Sequence, residues 1–258
     1  YQLASIMKKQ AQKFGCTIKS NIKIEHLELS SSPKRVILDD GNTYTADAII
    51  LSPGGRSRLL NVPGEEQFKG KGISYCATCD GDFFQDKEIF VVGGGNSALE
   101  EAVSLTKYAS KVTIIHQFDH FQAFEHAIEE ARSNPKINFI MESGITSFQG
   151  DESLKGISIK NLKTGIETYH NTDGVFIFIG YIPNTEFLKD QLELNKWGEI
   201  IVKPDMSTSI EGVYAAGDSI TKRFRQVTTA VGDGTIAALA ASQYVNDLKA
   251  KRKVPELI

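Results

Sequence analysis

The chain has 258 residues, enough for one large domain or two modest ones, and its 41% hydrophobic content suits a protein that buries a core. With 32 acidic against 29 basic residues the formal charge is only −3, which excludes the basic footprint of a nucleic-acid binder. No apolar run is long enough to span a bilayer and no secretory leader is visible, so a cytoplasmic protein away from the membrane is expected.

Leu3, Ile6, Met7, Ala11 and Phe14 recur at helical spacing, and Gly15 follows as a stop. Residues 22–29 and 35–38 then read as strands. Asp39-Asp40-Gly41-Asn42 is a turn signal leading to a further extended stretch, Thr43-Tyr44-Thr45. The apolar strand Ala48-Ile49-Ile50-Leu51 ends in Ser52-Pro53-Gly54-Gly55.

Cys76-Ala77-Thr78-Cys79-Asp80-Gly81 comes next. A two-residue spacer brings two sulfurs to disulfide distance in a tight turn, or supplies one corner of a zinc site. Zinc needs two more ligands at similar spacing, and no second such pair exists, so redox use is favoured and no metal is expected. Pairs of this kind lower one thiol's pKa and so create an attacking thiolate. Asp80 is placed to relay a proton as thiol and thiolate interchange. The third cysteine, Cys16, is expected as a small buried side chain at a strand start.

Glu88-Ile89-Phe90-Val91-Val92 is an apolar strand, followed at once by Gly93-Gly94-Gly95-Asn96-Ser97-Ala98. A helix over 99–108 and a strand over 111–115 complete a βαβ unit. In that context the glycine pattern marks a dinucleotide loop. Gly93 permits the turn, Gly95 lets backbone approach a pyrophosphate, and Ala98 keeps helix and strand close. Asn96 and Ser97 open the helix, whose N–H groups face the phosphates. Donor choice is set at the end of the second strand. Here the run His116-Gln117-Phe118-Asp119-His120-Phe121-Gln122-Ala123 holds no arginine or lysine. Asp119 would repel a 2′-phosphate and suits a ribose diol, and only His116 and His120 are possible cations. NADH is therefore favoured over NADPH. His116, His120 and His126 are too loosely placed to bind metal.

Residues 124–132 read as a helix ended by Asn134-Pro135, 137–141 as a strand, and 156–162 with 166–169 as a hairpin. Residues 175–179 form a buried strand closed by Gly180. The order helix, strand, hairpin, buried strand, glycine thus occurs twice, as in two similar nucleotide-binding units. By this comparison about 35 residues with a glycine-rich turn are expected ahead of Tyr1.

Together these motifs resemble the low-molecular-weight thioredoxin reductases. The likeness extends to Pro183-Asn184-Thr185, to Gly212-Val213-Tyr214-Ala215-Ala216-Gly217-Asp218 and to Arg225-Gln226-Val227-Thr228-Thr229-Ala230. It implies an α/β fold of two Rossmann-like three-layer domains of the FAD/NAD(P) flavoprotein disulfide reductase type. The FAD domain is expected over 1–55 and 181–258, and the pyridine-nucleotide domain with the redox pair over 56–180. Hinges are expected at 52–55 and 180–183.

The resemblance also assigns roles. Gly217 and Asp218 close over FAD, with Asp218 on the ribityl chain. Arg225, Gln226 and Val227 lie beside the flavin ring. Cys79 exchanges electrons with the flavin, and Cys76 attacks the disulfide of a thioredoxin-like protein. A homodimer is implied. Gln117, Phe118 and Gln122 stand where NADPH-preferring members carry arginines. Reduced ferredoxin remains open as donor, a peroxiredoxin or glutaredoxin-like protein as partner, and a non-catalytic nucleotide-binding module as an alternative.

Overall fold

The computed structural model describes residues 2–253. They form two compact units. One combines the residues up to Gly55 with those from Pro183 onward, and the other is Arg56–Ile182. The second crossing thus falls at 182/183 rather than at 180/181.

The Arg56–Ile182 unit is built on a five-stranded parallel sheet. Its strands, in spatial order, are Ile73–Ser74, Gly174–Ile177, Glu88–Val92, Lys111–Ile115 and Ile137–Ile140. Both faces are covered, which is why the central strands Gly174–Ile177 and Glu88–Val92 read as nearly continuous apolar runs. Ile89 and Val91 face the helices Asn96–Leu105 and Glu125–Ser133, where they pack with Leu99, Ala102, Leu105, Ile128 and Ala131. Phe90 and Val92 point the opposite way, as alternation along a strand requires. They pack with Ile145, Phe148, Leu154 and Ile157 of an antiparallel sheet formed by Ser143–Gly150, Leu154–Asn161 and Glu167–Asn171. The result is helices, parallel sheet and antiparallel sheet in three layers. Leu99 is fully buried, so truncating it to alanine costs about 2–5 kcal/mol.

The other unit repeats this plan with fewer strands. Ile24–Glu28, Lys34–Leu38 and Thr43–Ala46 form an antiparallel sheet, and Ile49–Leu51 pairs in parallel with Val213–Ala215. Leu27, Leu29, Leu51, Leu188, Val213 and Ala215 build one core. Tyr214 and Ala216 face the other way, onto Ala237 and Ala241 of the 27-residue helix Val227–Lys253.

Three sequence expectations need correction. The repeat is real but its alignment shifts: the strand at 22–29 belongs to the antiparallel sheet, so its counterpart is Ser143–Gly150, not the parallel strand Ile137–Ile140. The helix after the glycine loop starts at Asn96 and ends at Leu105, because the loop residues themselves form its first turn. Cys16 lies exposed in an irregular segment after the helix Gln2–Lys13 and not in a strand, so no sheet is there to bury it.

Among the described residues, no helix is long and apolar enough to cross a membrane, and no cluster of His, Cys, Asp and Glu could hold a metal ion.

Candidate functional site: a disulfide and a glycine-loop cavity

Cys76 and Cys79 form a disulfide. They do not sit in an open turn: the pair lies on the four-residue helix Ala77–Asp80, with Cys76 as its N-cap. Cys76 Sγ accepts a hydrogen bond from the Cys79 N–H at 3.2 Å. A donor aimed at a sulfur favours its thiolate once the bond is reduced. Cys76 is half-buried and Cys79 exposed.

Asp80 ends this helix. Its Oδ2 accepts from the hydroxyl of Ser74 at 2.7 Å, and the same hydroxyl oxygen accepts from the Cys76 N–H at 3.1 Å. Ser74, to which no sequence motif points, is thus tied to both ends of the redox segment.

A cavity of about 790 Å³ opens in the same unit, at the C-terminal ends of the parallel strands. That is where open α/β sheets bind ligands. Gly93, Gly94, Gly95, Asn96 and Ser97 line it, together with His116, Gln117, Gln122, Arg58, Tyr75 and Tyr181. Gly93 is at φ +140, and a Cβ there would meet the Phe178 carbonyl oxygen at 2.4 Å and the Ala98 Cβ at 2.8 Å. Ala98 is small for this reason. At Gly95 a Cβ would meet nothing nearer than 3.9 Å, so the backbone there is open to a ligand. Asn96 also supports the fold. Its Oδ1 accepts from the Phe124 N–H at 2.7 Å and so fixes the start of the next helix.

Of His116 and Asp119, the two residues expected to meet the donor's ribose, only His116 reaches the cavity, beside Gln117 and Gln122. It is 5% exposed, its ring stacks on Phe121 with Phe118 edge-on, and its Nε2 has no hydrogen-bond partner. Burial lowers its pKa, so the ring is uncharged at neutral pH. Asp119 is solvent-exposed and paired with His120 Nδ1 at 2.6 Å. It does not line the cavity.

A buried carboxylate supports part of the cavity lining, at Leu60 and Tyr75. Glu65, 3% exposed, accepts from the N–H groups of Leu60 and Asn61 and from the hydroxyl of Tyr75, the residue before Cys76. Its sequence context, Gly64-Glu65-Glu66, carries no signal of this role.

In the other unit, Gly217 is at φ +78, where an added Cβ would meet nothing nearer than the Ala230 Cβ at 3.8 Å, and Asp218 Oδ1 is buried without a hydrogen-bond partner in the protein. A buried, unmatched acceptor next to an open glycine fits a hydroxylated ligand chain. Gln226 immediately precedes, and Val227 begins, the helix Val227–Lys253. Arg225 is held by Glu199 and also donates to the Asp218 carbonyl, while Asn195 donates to Glu199. Asp233 accepts from the Gly217 N–H and pairs with Lys222. Glu199, Lys222 and Asp233 belong to no motif in the sequence. Their partners lie far along the chain.

Two units of this fold, one carrying both a disulfide and a nucleotide-type loop, define a flavoprotein disulfide oxidoreductase. Comparison with protein families matches residues 2–234 to the pyridine nucleotide-disulphide oxidoreductases. A thioredoxin reductase of Peptoclostridium acidaminophilum is 45% identical over 93% of this chain and 77% of its own. A 34.2 kDa protein in a rubredoxin operon of Clostridium pasteurianum is 44% identical over 94% of this chain and 79% of its own. The crystal structure of thioredoxin reductase from Streptococcus pyogenes superposes with a TM-score of 0.86 at 40% identity, covering 95% of this chain and 80% of that one. The chain belongs to the pyridine nucleotide-disulphide oxidoreductase family, and within it to the low-molecular-weight thioredoxin reductases; it is an oxidoreductase of the thioredoxin-disulfide reductase type.

Proposed function

We propose that this chain passes electrons from NADH, in preference to NADPH, through FAD and the Cys76–Cys79 disulfide to a thioredoxin-like protein, as a cytoplasmic homodimer. The observation that carries this reading is the Cys76–Cys79 disulfide, held on a helix N-terminus in the unit that also carries the glycine loop.

The residues fit both cofactors. FAD would be held by Gly217 and the unmatched Asp218 carboxylate, with Arg225, Gln226 and Val227 at the flavin end. A dinucleotide would lie on Gly93 to Ala98, its phosphates at the N-terminus of Asn96–Leu105. The chemistry that the flavin supplies when bound is two-electron transfer from a nicotinamide to a disulfide.

The protein's own part is exchange. Cys76, with the Cys79 N–H on its sulfur, attacks the partner's disulfide, and Asp80 carries the proton. Cys79 then resolves the mixed disulfide. The donor preference is supported by the lack of any arginine or lysine from Gln117 to Gln122 and by the uncharged His116. Asp119 does not support it, because that side chain turns to His120 and solvent.

The test is an anaerobic titration of the FAD-reconstituted chain. NADH is expected to bleach the flavin faster than NADPH, and Cys76→Ser and Cys79→Ser to abolish disulfide reduction while leaving that bleaching intact. Turnover by either serine variant would remove the redox-pair assignment. A preference for NADPH would remove the donor assignment. Bleaching by reduced ferredoxin but by neither nucleotide would support the ferredoxin alternative, which draws on the same missing cations. A chain that stays colourless with FAD would point to a non-catalytic module.

A further inference from the structure

We infer that Ser74 is a positioning residue for thiol–disulfide exchange, its hydroxyl holding the Asp80 carboxylate where it serves Cys76. The inference rests on the reading of Asp80 as the proton relay.

Ser74 ends the short parallel strand Ile73–Ser74 and is buried, so its position is fixed by the sheet. Its Oγ lies 2.7 Å from Asp80 Oδ2, 3.1 Å from Cys76 N and 3.3 Å from Cys76 O. A hydroxyl has one proton to give. The carboxylate contact is the shorter and is charge-assisted, so it takes that proton. The oxygen's lone pair then accepts from the Cys76 N–H. One atom thereby spans Cys76 and Asp80, the two ends of the redox segment. Without it, Asp80 is an ordinary side chain at a helix end, free to rotate towards water.

The exchange depends on this placement. The Cys76 thiol gives its proton to Asp80, and its sulfur bonds to one sulfur of the partner's disulfide. The partner's S–S bond breaks, and its other sulfur leaves with the electron pair and takes the proton from Asp80. Cys79 loses its proton to water and attacks Cys76 Sγ. The Cys76–Cys79 bond forms again, and the partner's first sulfur leaves as a thiolate that is protonated by water. The chain's dithiol is oxidised by two electrons, and the partner's disulfide is reduced by two.

A relay acts on the leaving group, which a structural role would not do. The test uses the full chain in a Cys16→Ser background, because Cys16 is an exposed free thiol. The pair is reduced chemically, the reductant is removed, and the chain is mixed with one of two probes. Hydroxyethyl disulfide releases a strongly basic thiolate, and dithiobis(nitrobenzoate) a weakly basic one. Loss of protein thiols is followed by rapid quench, alkylation and mass measurement, so no flavin is needed.

Threonine and valine have the same shape and differ at the hydroxyl. Ser74→Val is expected to slow the aliphatic probe about tenfold and the aromatic probe less than about twofold, with Ser74→Thr close to the parent on both. Should Ser74→Val fail to fold, Ser74→Ala takes its place. Equal rates for Ser74→Val and Ser74→Thr, or equal slowing of both probes, would overturn the proposal. Asp80→Asn separates it from the reading beneath. Selective slowing by Asp80→Asn with a parental Ser74→Val overturns the role of Ser74 alone, whereas parental rates in Asp80→Asn overturn both.

Discussion

The imidazole of His116 lies directly against Gly94: a Cβ at position 94 would fall 2.2 Å from the ring's Cε1 and 2.3 Å from its Nδ1. The contact follows from the sheet. Glu88–Val92 and Lys111–Ile115 are parallel neighbours paired with Val92 opposite Ile115, so the residues after their ends emerge side by side. The middle glycine of the loop, which the dinucleotide pattern leaves unspecified, is therefore fixed by a side chain from the next strand.

Gly94→Ala tests this relationship. The ring cannot retreat freely, because Phe121 stacks on it and Phe118 meets its edge. The substitution should cost about 1–3 kcal/mol of overpacking and weaken dinucleotide binding. Urea denaturation and a donor titration read the two effects. Parental values in both would show that the ring has room to move.

The same histidine makes stability depend on pH. Burial holds its pKa below the ordinary 6.5, against a smaller opposing effect from the His120 backbone. Between the folded pKa and 6.5 the unfolded chain binds the proton more readily, so stability falls as pH drops through that window. His116→Gln should remove this part of the acid sensitivity. The check is the urea midpoint at about pH 7.5 and about pH 5.5. The difference between the two should shrink in the variant, and an undiminished difference would assign the sensitivity to other groups.

How much of this is legible in the sequence depends on range along the chain. Glu88–Val92 and Lys111–Ile115 stand out because both faces are covered and the runs are largely apolar, with Ile89 to Val92 unbroken and Lys111–Ile115 interrupted only by Thr113 after its first residue. Ser143–Gly150 does not, because its serine, glycine and glutamine content hides its alternation, and its strand character comes from pairing with Leu154–Asn161. The helix at Ala77–Asp80 is too short to show a period. Cys76, Cys79 and the glycine loop are legible as local patterns. Ser74 holding Asp80, Glu65 holding Tyr75, and Glu199 holding Arg225 are not, since these pairs are set by how the chain folds back on itself and follow no recurring spacing.

Glu65 should behave as a structural anchor. It satisfies three donors from a buried position, and burial with its hydrogen bond keeps the Tyr75 phenol protonated well beyond its ordinary range. Glu65→Ala leaves all three donors unmatched and should cost about 3 kcal/mol, whereas Tyr75→Phe removes one hydrogen bond and should cost about 1 kcal/mol. Denaturant melts of both variants decide the matter. Equal losses would mean that the two backbone donors find water when the carboxylate is gone.

Asp218 should show the opposite balance between stability and binding. Its Oδ1 is buried and makes no hydrogen bond within the protein, so it contributes nothing to holding the fold together. In the proposed function its partner is a hydroxyl of the flavin's ribityl chain. Asp218→Ala is therefore expected to leave the flavin-free chain as stable as the parent or slightly more so, and to weaken FAD binding about tenfold through loss of one charge-assisted hydrogen bond. Thermal melts without FAD and a flavin fluorescence titration measure the two halves separately. A variant that melts earlier yet binds FAD as the parent does would make Asp218 a structural residue, and the flavin contact would have to be sought among Arg225, Gln226 and Val227.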